Sequence, residues 1–112
     1  MQGRKTRVPS ASRPIREPNK WEAKYHREIL LPLIARGAII SAEFEAIKLR
    51  YGAGTYYTPD WVVWTAGGRL EAHEVKGHWH PGAKSRYQAA RDRHRSIRFF
   101  AKTLKDGMWV DA

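Results

Sequence analysis

The chain contains no cysteine. Disulfides, thiolate metal sites and cysteine nucleophiles are therefore excluded. The absence accords with a reducing compartment, and a cytoplasmic location is the expectation. No run of about 18 apolar residues occurs, so no membrane-spanning segment is expected. The basic N-terminus is not followed by an apolar stretch, which argues against a secretory signal. No internal repeat is visible. Acidic residues are scarce as well: 11 Asp and Glu face 21 Lys and Arg, giving a formal net charge of +10 and a pI of about 10.3. Such an excess points to a polyanionic partner, nucleic acid ahead of anionic membrane or acidic protein.

The 112 residues suffice for one compact domain with a thin core, and dimerisation would help cover its apolar surface. Five tryptophans and five tyrosines are available to fill that core or to stack on bases. Charge falls in three blocks. Residues 1–30 carry eight Lys/Arg against three Asp/Glu, residues 31–76 carry five of each, and residues 77–105 carry eight against one. A neutral centre between two basic segments fits a buried sheet bordered by positive surface.

Residues 1–18, rich in Arg, Ser and Pro and without apolar periodicity, read as a flexible basic N-terminal arm, leaving 19–112 as a single domain. Asn19 and Glu22 form a capping-box pattern that predicts a helix over about 20–36, with Gly37 as its stop. Pro32 should kink or divide it. Glu22, His26, Ile29 and Leu33 share one stripe of that helix. Residues 38–51 read as one strand and 56–65 as a second. A Gly67-Gly68 turn leads into a third strand over 69–76, closing a hairpin. A polar helix is predicted over 80–95, with Ala83, Tyr87, Ala90 and His94 inward. A strand over 97–104 follows, then an Asp106-Gly107 turn and a short last strand at 108–110. This order, α-β-β-β-α-β, gives an α+β fold with a mixed β-sheet flanked by helices.

The chemistry-bearing residues sit on the predicted hairpin. Its first strand carries Pro59-Asp60 and its second carries Glu74-Val75-Lys76-Gly77. Glu74 and Lys76 are two positions apart and share a face with Leu70 and Ala72, so charge continues an apolar row. Charge there is costly unless it is paired or bound to metal. Asp60 across the hairpin would set two carboxylates beside an ammonium. Two such carboxylates repel, and a divalent cation relieves the repulsion. Oxygen ligands favour Mg2+, with Mn2+ as a substitute, over zinc. Lys76 would orient a water or stabilise charge developing on phosphorus. The competing reading is a surface hairpin with an ordinary Glu74–Lys76 contact, worth under about 1 kcal/mol.

Pro-Asp followed by Glu-x-Lys on consecutive strands resembles the PD-(D/E)xK nuclease superfamily. The stretch Asn19-Lys20-Trp21-Glu22-Ala23-Lys24-Tyr25 is similar to the first helix of small phage-encoded Holliday-junction resolvases of the endonuclease I type. The resemblance covers residues 19–104. It implies a restriction-endonuclease-like core, metal binding by Asp60, Glu74 and the backbone carbonyl of Val75, and Glu22 as the acidic residue joining from the first helix. It further implies a homodimer, cleavage of branched DNA at four-way junctions and, for a phage-encoded protein, action in the host cell cytoplasm. From the residues alone, Glu43 and Glu45 compete with Glu22 for the third carboxylate, and Glu28 competes more weakly.

Lys20, Lys24, His78, Lys84, Arg86, Arg91 and Arg95 are the candidate DNA contacts, although one helix cannot turn all its basic residues the same way. His73, His78 and His80 cluster near the motif, where phosphate contact or plain exposure is expected in preference to zinc. Trp79 is a candidate for base stacking and Tyr87 for the core. Rival functions are another endonuclease of the superfamily (restriction, nicking or mismatch type), a catalytically silent nucleic-acid-binding module, and an RNA-associated basic protein.

Overall fold

In the computed structural model of the chain, residues 16–112 are described. The expected arm over 1–18 thus lies outside the described residues except for Arg16, Glu17 and Pro18. The first helical region starts where the capping box places it. The Asn19 side chain accepts from Glu22 N at 2.9 Å, and Glu22 Oε1 accepts from Asn19 N at 2.8 Å. Helix α1 (Lys20–Tyr25) runs into a π-helical turn over His26–Leu30 and then into α2 (Leu31–Ala35). The helical region is thus divided just ahead of Pro32. The chain widens by one residue ahead of it, with Leu31 N bonding to His26 O, and Pro32 falls in the first turn of α2, where a missing N–H costs least. Gly37, at φ +77°, closes the helix: its N–H reaches Ile34 O, and Ala38 N reaches Leu33 O. No helix among the described residues is long and apolar enough to cross a membrane.

Five strands form the main sheet in the order β1-β4-β5-β6-β7, comprising β1 (Ile39–Phe44), β4 (Trp61–Thr65), β5 (Leu70–Val75), β6 (Arg98–Lys105) and β7 (Met108–Asp111). All neighbours are antiparallel except β5 and β6, which are parallel and joined through α3 (Pro81–Arg93). A separate two-stranded ribbon pairs β2 (Leu49–Gly52) with β3 (Thr55–Tyr57). The class is thus α+β with a mixed sheet.

Alternation sorts the core onto the two faces of the sheet. Trp61, Val63 and Val75 meet Tyr25 and Leu30 under the first helical region. On the other face, Phe99 and Ala101 meet Tyr87 and Ala90 of α3 and Leu49 and Tyr57 of the ribbon.

Two expected strands are corrected. Residues 38–51 break at Glu45, which takes φ +48°, so β1 stays in the main sheet and β2 leaves it. Residues 56–65 break at Thr58-Pro59-Asp60, because Pro59 has no N–H for a ladder. The order is therefore helix, five strands, helix, two strands. Gly54, at φ +70°, supplies the left-handed residue of the ribbon's turn.

Candidate active site

The break at Pro59 delivers Asp60 to the end of β4. Trp61 pairs with His73, so one step further along the antiparallel register Asp60 stands across from Glu74. Directly opposed residues share a face. Both carboxylates are buried, Asp60 at 7% exposure and Glu74 at 6%. Asp60 Oδ2 accepts from Val75 N at 2.8 Å, and Asp60 O accepts from Glu45 N at 2.9 Å, which ties the sharp bend at Glu45 to this site.

Burial raises the Asp60 carboxyl, and the Glu74 charge raises it further, with a smaller push from Glu22. The Val75 N–H and the Lys76 ammonium pull the other way, and the group settles at about 8. Glu74 has two partners: the Tyr57 phenol donates to Oε1, and Lys76 Nζ stands 3.1 Å from Oε2. Burial and the neighbouring Glu74 push the Tyr57 phenol far above its ordinary range, so it remains a donor. A cleft of about 180 Å3 opens over Glu74 and Lys76, bordered by Tyr56, Tyr57 and Arg86.

Glu22 is buried at 5% exposure, near enough for Asp60 to feel its charge. Both of its oxygens are engaged, one by Asn19 N and the other by Arg16 at 3.2 Å. Arg16 also grips Glu45 at 2.8 Å and lies 4.8 Å from the Phe44 ring. Of the competing carboxylates, Glu43 is exposed, and Glu28 is committed to Lys24 and to the Trp109 indole. Glu22 thus stands within electrostatic reach of Asp60, with Glu45 bound to it through Arg16. Among the described residues, no group of three or more His, Asp or Glu side chains is already gathered closely enough to surround an ion.

The expected basic surface does not form one patch. Arg86 borders the Glu74 cleft, whereas Lys84 and Arg91 line a separate cleft of about 410 Å3 beside β6, with Trp79 and Tyr87. His78 and Arg95 are exposed, Lys20 sits 5.1 Å from the Trp21 ring, and Lys24 pairs with Glu28 at 2.7 Å.

His73 corrects an expectation. It is buried on the opposite face from Glu74, between the Tyr25 hydroxyl at 2.6 Å and Glu71 Oε1 at 2.9 Å. Burial lowers its pKa, so this imidazole takes no part in phosphate contact. Strand alternation alone separates it from Glu74. Tyr57 and Arg16 are the site partners that sequence reasoning missed. Only the nearness of a tyrosine to Pro59-Asp60 hinted at the first, and nothing local hinted at the second.

Comparisons with family models, with curated proteins and with solved structures find no match to this chain.

Proposed function

We propose that the chain is a divalent-metal-dependent endodeoxyribonuclease of the PD-(D/E)xK class that resolves four-way DNA junctions. One observation carries the reading: Asp60 and Glu74 are both buried, opposed on one face, and flanked by an amine on the next outward position. A buried pair of like charges is the arrangement a cation would repair. The antiparallel β4–β5 hairpin, the α3 crossover and the parallel β6 support a restriction-endonuclease-like core.

The donor set fits a hard cation. Asp60 has one oxygen on Val75 N and its second without a hydrogen-bond partner among the described residues, while Glu74 needs only to exchange Lys76 for the ion. Mg2+ or Mn2+ held by Asp60 and Glu74, with the Val75 carbonyl beside them, would supply the Lewis acidity for phosphodiester hydrolysis. Glu22 would act through its charge, since its oxygens are already held. Lys76, freed from Glu74, would place its ammonium against the phosphate oxygens as charge grows on them. Arg86 at the cleft mouth would hold the approaching phosphate. Water would attack phosphorus and one P–O bond would break, with no covalent enzyme intermediate. Paired cuts across a junction require two sites, and the exposed Ile40 and Met108 offer apolar surface that a homodimer would cover.

The test offers the purified protein a synthetic four-way junction beside nicked, mismatched and linear duplexes, with and without Mg2+. Symmetric nicks in the junction, appearing only with metal, are expected. Equal cutting of the other substrates would reassign the branch within the superfamily. The partners already holding Glu22 and Glu74 favour a second reading, a nucleic-acid-binding module without catalysis. That reading predicts junction binding and no strand scission with either Mg2+ or Mn2+.

A further inference from the structure

Lys76 borders a second cavity, on the face of the sheet that carries α1. This cavity measures about 170 Å3 and is lined by Trp21, Val75, Lys76, Leu104 and Trp109, among others. Its two indoles behave differently. Trp109 is fixed, because its Nε1 donates to Glu28 at 2.9 Å and its ring meets the Tyr25 ring edge-on at 5.1 Å. Trp21 immediately precedes the buried Glu22, yet it is 46% exposed. Among the described residues it packs against no other aromatic ring, and Lys20 Nζ lies 5.1 Å from its centroid.

A half-bare indole and an anchored one both line this slot. The slot is apolar inside; Lys76 lines it while its ammonium reaches Glu74 at 3.1 Å, and Lys20 lies beside Trp21. An apolar protein segment would satisfy the walls but offer nothing to Lys20, or to Lys76 once an ion releases it from Glu74. A nucleotide would satisfy both, with its base against the indoles and its phosphate toward the amines. The net charge of +10 favours the same occupant.

We infer that this slot receives an unpaired base of the nucleotide adjoining the scissile phosphate. The substrate class is then DNA whose pairs at the cut are broken or open most readily, at a branch point or a single-stranded flank. A base inside continuous duplex reaches such a slot only by leaving its stack, which is least costly where pairing is already broken. The inference rests on the phosphodiesterase reading for the position of the phosphate.

The test uses cleavage-silent Asp60→Asn protein, so that binding is read without scission, and junctions carrying 2-aminopurine at each position flanking the branch point. At one position the emission should change at least about twofold on binding. The change should be lost with Trp21→Ala added and kept with Trp21→Phe, which still offers a ring. An abasic nucleotide at that position should weaken binding by about tenfold, within the range for one stacked base, and should leave the Trp21→Ala protein indifferent. Failure to bind the junction, or equal emission and affinity with and without Trp21, overturns the inference. So does a Trp21→Ala protein whose oligomeric state changes while the emission signal persists, since the slot then belongs to a second copy. Wild-type protein that cuts DNA with Mg2+ but shows no Trp21-dependent signal refutes the base slot alone. Absence of metal-dependent cutting by wild type refutes the phosphodiesterase reading, whatever the emission does.

Discussion

Replacing Asp60 with Asn should stabilise the metal-free protein at alkaline pH. The Asp60 carboxyl is raised from 3.8 to about 8, by burial first and by Glu74 second. The folded state therefore binds this proton more tightly than the unfolded chain does. Its stabilising effect is full below about pH 4, declines as pH rises, and is gone above about pH 8. At about 1.4 kcal/mol per unit, the full shift sets an upper limit on the order of 5 kcal/mol. Local relaxation and water entry reduce it, so on the order of 2 kcal/mol is expected, or about 10 °C in Tm for a domain of this size. Asn stays neutral throughout and can still accept from Val75 N. Thermal melts from pH 4.5 to 9 should show the advantage of Asp60→Asn growing up to about pH 8 and then levelling. Mg2+ should close the gap by stabilising only the wild type, because the ion binds the folded carboxylate pair. Parallel melting curves for the two proteins across the whole range, unaffected by Mg2+, would refute both the Asp60–Glu74 repulsion and the cation site.

Three further outcomes follow from the same corner. Lys76→Met should reduce metal-dependent cleavage by roughly 100-fold or more while junction affinity in gel shifts changes only a few-fold, since its charge matters most as phosphorus gains charge. Tyr57→Phe removes the donor to buried Glu74 and should cost about 1–2 kcal/mol in urea unfolding at neutral pH. Arg86→Gln, at the mouth of the Glu74 cleft, should lower the slope of log affinity against log salt by about one and weaken junction binding without regard to sequence.

Much of the frame was legible because it rests on local rules. The Asn19–Glu22 box, the Gly37 stop, the Gly67-Gly68 turn and the Asp106-Gly107 turn each act within a few residues, and each appears where the sequence places it. Residues 45–60 were less legible. Glu45 adopts a positive φ that acidic residues seldom take, and its N–H is claimed by Asp60 O, 15 positions away. A long-range bond of that kind decides where a strand ends and leaves no local signal. The ribbon β2–β3 was hidden for the same reason, because Tyr57 is placed by Glu74 and by the ring of Tyr87.

The site and the irregular segment therefore have a common cause. A regular strand through residues 56–65 would have kept Thr58 and Pro59 in the ladder and run straight past the end of β5. By breaking there, the chain turns Asp60 back onto the Val75 amide and brings Tyr57 over Glu74. Two carboxylates are thereby held largely out of water in one corner. Ionised, the pair lends the fold no stability unless a proton or another cation completes it. Lys76 does so for Glu74, and among the described residues Asp60 is compensated by the Val75 amide and more weakly by the charge of Lys76. The shortfall is local to Asp60, so the charge that completes the corner should come from outside the chain.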